Sequence, residues 1–188
     1  MKNGEVLKEK RQQGGKTMKD SELRMIETML KKQDELNSAI MKEYGLTTIS
    51  KEQIDLATLD EIGEFIHELK GDWCWWKKTQ APVDKEKALG ELVDIFHFLL
   101  SWQNNFNDGE EGLGSAPDVK RRVKQQCNLM HSIDDALIYG FIRLVSHPLY
   151  RIESLIAITE YLGFDVEQVY KAYCDKNKIN YQRLESGY

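Results

Sequence analysis

The sequence contains few of the residues that interrupt helices or mark strands. Its 188 residues include only three prolines, Pro82, Pro117 and Pro148, so helices can run long between them. Alternation of apolar and polar residues, the signature of half-buried strands, is also scarce. The composition therefore predicts an all-α chain with a single domain that is long enough to bury a core.

Cysteine is equally scarce and follows no metal-binding or disulfide pattern. Cys74, Cys127 and Cys174 are odd in number and far apart along the chain. This spacing is typical of reduced thiols in a cytosolic protein rather than of a disulfide framework. No apolar run approaches the roughly 18–20 residues that span a bilayer, and the N-terminus has no signal-peptide core. We therefore expect a cytoplasmic protein without a membrane segment.

Positive charge is in deficit, with 26 lysine and arginine residues against 31 aspartate and glutamate residues and a formal net charge of -5. Such a chain has no broad attraction to nucleic acid, and an anionic substrate would need metal ions to bridge the like charges. The sequence also lacks a Gly-rich loop followed by Lys and Ser or Thr, which argues against a P-loop nucleotide site. These absences favour a site that depends on metal ions.

The most informative pattern present is a pair of acidic couples on two successive predicted helices. Glu61 and Glu64 form one couple, Glu91 and Asp94 form the other, and each is set into an apolar stripe. A spacing of three places both side chains on one helix face. Four facing carboxylates would repel each other and would be costly to bury unless a hard cation lay between them. The pattern predicts a Mg²⁺ site, for which Mn²⁺ is a substitute, suited to handling phosphates.

Apolar periodicity and capping residues predict the order of elements. We expect helices at about residues 20–45, 51–71, 84–104, 118–146, 151–163 and 165–176. An irregular tail is expected over 177–188. Residues 1–19 are polar and are expected to form a disordered leader before a single domain over 20–188. Residues 104–127 begin with a run of Asn, Asp, Gly and Glu and are expected to be a surface insertion.

Further motifs, taken with the acidic couples, resemble a known enzyme family. They are Gln33 and Asn37 on the first helix, the Trp-rich segment 73–77, the Ile-Phe-His-Phe sequence after Asp94, and a closing motif that comprises Lys176, Asn177, Asn180, Arg183, Gly187 and Tyr188. From about residue 20 to residue 188 the chain resembles the dimeric all-α dUTPases. These belong to the all-α nucleoside triphosphate (NTP) pyrophosphohydrolases and have MazG-like relatives. The acidic couples alone indicate only the superfamily, whereas the Trp-rich segment and the closing motif narrow it to dUTPase.

The resemblance implies a helical bundle of the all-α NTP pyrophosphohydrolase type that hydrolyses dUTP, and also dUDP, with a metal-activated water. It implies that Glu61, Glu64, Glu91 and Asp94 bind Mg²⁺, and that Glu61 also orients and deprotonates the water. It implies substrate contacts for Gln33, Asn37, Trp73, Trp76, Lys77, Lys176, Asn180, Arg183 and Tyr188. Amide groups suit the edge of uracil, and the basic groups of the closing motif suit the phosphate chain. The family also implies a homodimer, and the short length is typical of bacteriophage members.

Two alternatives to a dUTPase remain open from the sequence. A related pyrophosphohydrolase of the same superfamily could act on dCTP or on a mixed nucleotide pool. Some phage members of the family bind repressors of mobile genetic elements, so the range 104–127 could instead belong to a regulatory module. Its cluster of Lys120, Arg121, Arg122 and Lys124 is also compatible with a plain surface segment.

Individual residues have structural alternatives as well. The tryptophans could pack in the core, Gln33 and Asn37 could form an ordinary polar helix face, and the closing motif could be a frayed terminus. His97 follows Asp94 by three residues. We expect this histidine to be a hydrogen-bonded core residue rather than a neighbour of the metal.

Overall fold

A computed structural model describes residues 17–106, 113–133, 135–147 and 150–187, and in these ranges the chain is helical and contains no strand. The helices are α1 (Asp20–Glu43), α2 (Lys51–Glu68), α3 (Lys70–Trp73), α4 (Lys85–Phe106), α5 (Ala116–Ser132), α6 (Ala136–Ser146), α7 (Arg151–Tyr161) and α8 (Val166–Glu185). The prediction of an all-α fold is therefore confirmed. None of the helices in the described ranges is long and apolar enough to cross a membrane.

Local capping explains where several helices begin and end. Before α2, the Ser50 N–H donates to the Gln53 side chain, and before α8 the Asp165 carboxylate accepts the Gln168 N–H at 2.8 Å. Each contact gives a hydrogen-bond partner to a backbone N–H group at the helix start that has no partner within the helix. Helix α1 ends before Gly45, whose φ of 64° lies in the left-handed region that glycine adopts at little cost. These boundaries follow from sequence signals alone.

The core is one apolar cluster to which all of the long helices contribute. Helix α4 lies at its centre, since it contacts α1, α2, α7 and α8. Its apolar side chains are almost fully buried at Leu92, Ile95, Phe96, Leu99 and Leu100. Burying each such side chain contributes roughly 1.5–3 kcal/mol. The packed face of α4 therefore fixes the direction of its polar face, which carries the second acidic couple.

Two of the predicted element boundaries are wrong. The range predicted as one helix over 118–146 is two helices, because the chain turns extended at Ile133, where ψ is 150°. The predicted irregular tail is helical, because α8 continues to Glu185. Tyr173 and Asn177 of α8 are buried, and the helix packs against both α1 and α4. Tertiary packing thus extends a helix whose polar sequence does not predict it.

The structure adds detail to the predicted leader and insertion. Residues 1–16 and 107–112 lie outside the described residues, but Met18 is only 3% exposed and belongs to the core. Helix α5 buries Val119, Val123 and Cys127. Within the predicted surface insertion, one face of residues 116–127 therefore packs into the core, while the other face stays exposed. All three cysteines are free, as their spacing predicts.

Candidate active site

Three of the four predicted metal ligands meet where α2 packs against α4. A carboxylate oxygen from each of Glu61, Glu64 and Glu91 lies within 4.8 Å of the other two. The three residues are called the acidic cluster below. Glu64 and Glu91 border a cavity of about 450 Å³ that His67 and Glu68 also line. Several carboxylate oxygens at this separation are the ligand set that a hard divalent cation takes in proteins.

Burial and the like charges of neighbouring carboxylates together raise pKa values in the acidic cluster. Burial, followed by the charges of Asp94, Glu64 and Glu91, raises the pKa of Glu61 to about 7. Burial is also the main cause that raises the pKa of Glu91, and Asp94 and Glu64 add to it. A divalent cation would remove this repulsion, so the residues present fit such an ion. A carboxylate with a pKa near neutrality can also accept a proton from water.

The fourth predicted ligand, Asp94, pairs with a lysine of the last helix. Lys176 Nζ lies 2.6 Å from Asp94 Oδ2, and the two side chains are 29% and 14% exposed. The same ammonium group acts against the rise in the pKa of Glu61 and Glu91. Helix α8 therefore brings Lys176, a predicted phosphate contact, to the edge of the acidic cluster.

A separate cavity of about 310 Å³ lies between α1, α4 and α8, one helical turn along α4 from Asp94. Its volume is in the range of small-molecule sites. The polar lining comes from all three helices, as Gln33, Asn37, His97, Ser101, Asn180 and Arg183. Four predicted substrate contacts, two amides on α1 and two closing-motif residues, therefore meet here. This space is called the α1/α4/α8 cavity below.

A buried hydrogen-bond network fixes the polar wall of the α1/α4/α8 cavity. Gln33 Oε1 accepts a hydrogen bond from the Tyr173 hydroxyl at 2.9 Å and lies 2.7 Å from His97 Nδ1. Gln33 Nε2 donates to Asn37 Oδ1 at 2.9 Å, and Ser101 Oγ donates to the same oxygen at 3.1 Å. Because Gln33 Oε1 is an acceptor, the ring proton of His97 is on Nδ1, which leaves Nε2 as an acceptor.

Two atoms of this wall have no hydrogen-bond partner among the described residues. They are His97 Nε2 and Asn37 Nδ2, and both are buried. Burial, with a smaller contribution from the charge of Lys176, lowers the pKa of His97 to about 3, so its ring is neutral. A buried polar group without a partner costs about 1–3 kcal/mol. A ligand with one matching donor and one matching acceptor would recover that free energy.

His97 and Ser101 line this cavity, and the buried Tyr173 hydroxyl holds Gln33 from behind, although the sequence did not predict these residues as substrate contacts. His97 is buried and hydrogen-bonded, as expected of a core residue, but it also lines the α1/α4/α8 cavity. A spacing signal was available, because Asp94, His97 and Ser101 follow each other on α4 at intervals of three and four. Such residues form one row along a helix.

The Trp-rich segment contributes no residue to the lining of either cavity. Trp73 and Trp76 have ring centroids 5.6 Å apart, and Trp73 Nε1 donates to the Ile66 carbonyl at 2.9 Å. Trp76 is 56% exposed, which rules out core packing for it. Neither tryptophan lines the two cavities, and nor does the exposed Lys77. Among the described residues, the predicted substrate contacts Trp73, Trp76 and Lys77 therefore do not join the predicted contacts that line the cavities. Tyr188 lies outside the described residues.

Comparison with known proteins connects this geometry with a family. A search among curated proteins returned no match. The family model described as dUTPase matches residues 25–188, a range that contains the acidic cluster, the ion pair between Asp94 and Lys176, and the α1/α4/α8 cavity. The chain therefore belongs to the all-α dUTPase family, and it is a dUTP diphosphatase.

Proposed function

We propose that this dUTP diphosphatase depends on Mg²⁺, or on Mn²⁺ as a substitute, held by Glu61, Glu64, Glu91 and Asp94. The observation that carries the proposal is the convergence of three carboxylate oxygens within 4.8 Å of one another. When bound, the cation would neutralise the phosphate chain and lower the pKa of a water molecule. The products are dUMP and pyrophosphate, and dUDP would yield dUMP and phosphate.

Glu61 is the proposed base for the attacking water. Its pKa is about 7 without a cation, and a bound cation would lower it, so the carboxylate would be charged and able to accept a proton near neutral pH. The water forms a new bond to phosphorus while the bond between the nucleotide and the leaving group breaks. Lys176 and Arg183 of α8 would stabilise the charge that develops on the departing pyrophosphate.

The α1/α4/α8 cavity is the proposed site for the base, because two of its lining residues hold one unpaired acceptor and one unpaired donor, the pair of group types that one edge of uracil requires. Uracil presents an N3–H donor beside a carbonyl acceptor, which suits the acceptor His97 Nε2 and the donor Asn37 Nδ2. Cytosine presents an acceptor at N3 and an amino donor beside it, so both contacts would oppose like groups. Each unpaired buried group costs about 1–3 kcal/mol, or about 5–150-fold in selectivity. This argument favours dUTP over dCTP as the substrate.

The test is a substrate panel that measures pyrophosphate release from dUTP and dCTP, and phosphate release from dUDP, in Mg²⁺ and in EDTA. We expect the wild type to prefer dUTP by about 100-fold or more and to need the metal. Asn37→Asp replaces the donor by an acceptor and should shift the preference toward dCTP. Asn128→Asp makes the same change at an exposed position of α5 and should not. A wild type that prefers dCTP, or an Asn37→Asp variant with unchanged preference, would contradict the proposed base contacts.

We also propose a homodimer that forms through α2 and α6. These helices contact each other, and each exposes an apolar pair, Leu56 and Leu59 on α2 and Ile138 and Ile142 on α6, all between 49% and 63% exposed. Large apolar side chains that gather at the surface mark interfaces. In sedimentation experiments the wild type should have twice the chain mass of 21.9 kDa.

A matched pair of variants tests this interface. Ile142→Asp should produce monomers, whereas Leu46→Asp, at a similarly exposed position before α2, should leave the dimer intact. A monomeric wild type would contradict the proposal, as would a dimer that survives the Ile142→Asp substitution.

A regulatory role for the basic cluster of α5 gains no support from its contacts. Lys120 pairs with Asp20, Arg121 pairs with Asp118, and Arg122 pairs with Glu153. Most of the positive charge in this cluster is therefore neutralised within the chain. We propose no repressor partner for it.

The free cysteines support a cytoplasmic location for the enzyme, where thiols stay reduced.

A further inference from the structure

The ion pair between Asp94 and Lys176 joins the acidic cluster to α8. Lys176 Nζ lies 2.6 Å from Asp94 Oδ2, which places a positive charge at the edge of three carboxylates that meet within 4.8 Å. The ammonium group thus supplies part of the charge that the acidic residues need in order to lie together. An Asp94 oxygen that accepts this hydrogen bond is also less available to another cation.

Lys176 stands at one end of a polar row on α8. Asn180 and Arg183 follow it at intervals of four and three, which places the three side chains along one face of the helix. Asn180 and Arg183 line the α1/α4/α8 cavity, whereas Lys176 contacts Asp94. The row therefore extends from the acidic cluster to the cavity. A lysine side chain has a flexible four-carbon stem, so its ammonium group can change partners while the helix stays in place.

We propose that Lys176 exchanges Asp94 for the phosphate chain of the nucleotide when a divalent cation takes Asp94. The inference rests on the proposed function, because it requires the acidic residues to bind that cation. The exchange balances charge: the cation replaces the ammonium group at the carboxylate, and the freed ammonium group pairs with a phosphate oxygen. A divalent ion carries twice the charge of the ammonium group and binds carboxylate oxygens directly, whereas an ammonium group is strongly hydrated.

The exchange has two thermodynamic consequences. Without nucleotide, Lys176 competes with the cation for Asp94 and weakens its binding. With nucleotide present, the phosphates hold the displaced ammonium group, so the cation and the nucleotide each favour the binding of the other. Such coupling is reciprocal by linkage. A lysine that only gripped phosphate would leave cation binding unaffected when nucleotide is absent.

The direct test is the rate at which an acetylating reagent modifies Lys176 in the full chain, read by mass spectrometry. The rate is measured in EDTA, in Mn²⁺, and in Mn²⁺ with the non-hydrolysable imido analogue of dUTP. We expect slow modification in EDTA, several-fold faster modification in Mn²⁺, and slow modification again with the analogue. Lys178 is 72% exposed and pairs with Asp175, so it should react at a constant rate and serve as the internal control.

Calorimetric titration with Mn²⁺ alone gives a second readout that involves no turnover. Lys176→Met should bind Mn²⁺ several-fold more tightly than the wild type, because the competitor is gone, and should bind the imido analogue more weakly. Lys178→Met removes the same charge from the same helix without touching Asp94, and its Mn²⁺ affinity should change less.

The outcomes separate this inference from the proposed function. If the wild type binds no Mn²⁺, the cation site itself is wrong, and the exchange falls with it. If Mn²⁺ binds but leaves the modification rate of Lys176 unchanged, the exchange is overturned and the cation site stands. Equal Mn²⁺ affinities in Lys176→Met and Lys178→Met would also overturn the exchange, since only a general effect of charge would remain.

Discussion

Replacing Glu61 with glutamine should inactivate the enzyme and, without a divalent cation and above neutral pH, make the folded protein more stable. In the folded chain the pKa of Glu61 is about 7, whereas its ordinary value is 4.5. Between these values the folded state keeps a proton that the unfolded state has lost. The free energy of unfolding therefore falls as the pH rises through this window, and the loss is complete above about pH 7. Glutamine has no charge to lose and avoids the penalty.

The size of the effect follows from the same two values. A difference between about 7 and 4.5 corresponds to about 3 kcal/mol of unfolding free energy. Glu61 is partly exposed, so solvent screening reduces the expected gain to about 1–2 kcal/mol. For a chain of this length the gain corresponds to a rise in Tm of about 2–8 °C.

Calorimetric unfolding in EDTA measures this gain directly. The Tm of Glu61→Gln should exceed that of the wild type at about pH 8, and the advantage should shrink toward about pH 5, where both side chains are largely uncharged. Added Mg²⁺ should raise the Tm of the wild type more than that of the variant. Glu27→Gln, at an exposed position of α1, controls for loss of a charge in general. A variant no more stable than the wild type at about pH 8 would refute repulsion within the acidic cluster.

Three further predictions concern the cavity and the fold. As the pH falls from about 6 to about 5, His97 should lower the unfolding free energy by about 1 kcal/mol, because unfolded His97 takes up a proton near pH 6.5 while the folded ring stays neutral down to about 3. Glu61 acts in the opposite direction over this range, so urea unfolding compares the wild type with His97→Gln: the difference should shift by about 1 kcal/mol against the wild type, and a constant difference would contradict a buried neutral ring. Arg183→Ala should weaken calorimetric binding of the imido analogue far more than it changes Tm; an equal loss of both would make Arg183 structural. Gly71→Ala would place a methyl group 2.5 Å from the Ala81 carbonyl oxygen and should cost about 1–3 kcal/mol in urea unfolding, whereas unchanged stability would show that this close approach is not required.

Helices could be predicted from the sequence where apolar periodicity and capping residues mark their extent. Apolar periodicity and caps predicted α1, α2 and α4 to within a few residues, because these helices present a regular apolar face to the core. The second half of α8 could not be predicted in this way. Its residues after Asn177 are mostly polar, and its helix depends on packing against α1 and α4.

In the site, too, residue spacing within one helix could be used for prediction, whereas contacts between distant helices could not. The convergence of Glu61, Glu64 and Glu91 could be expected from spacing, because helix geometry alone places each couple on one face. The contacts that shape the α1/α4/α8 cavity join distant positions. Gln33 meets His97 and Tyr173, which are 64 and 140 residues away. No local pattern in the sequence encodes such contacts, so they emerge only from the packing of α1, α4 and α8.

The central claim is that the acids of α2 and α4 hold the cation on which dUTP hydrolysis depends. Pyrophosphate release from dUTP by the wild type and by Glu91→Gln, in Mg²⁺ and in EDTA, tests it most directly. Glu86→Gln, at an exposed position five residues earlier on α4, is the matched control. We predict that release requires Mg²⁺, persists in Glu86→Gln and is abolished in Glu91→Gln, which should unfold in EDTA at the same or a higher temperature than the wild type. Near-normal release by Glu91→Gln would contradict the claim.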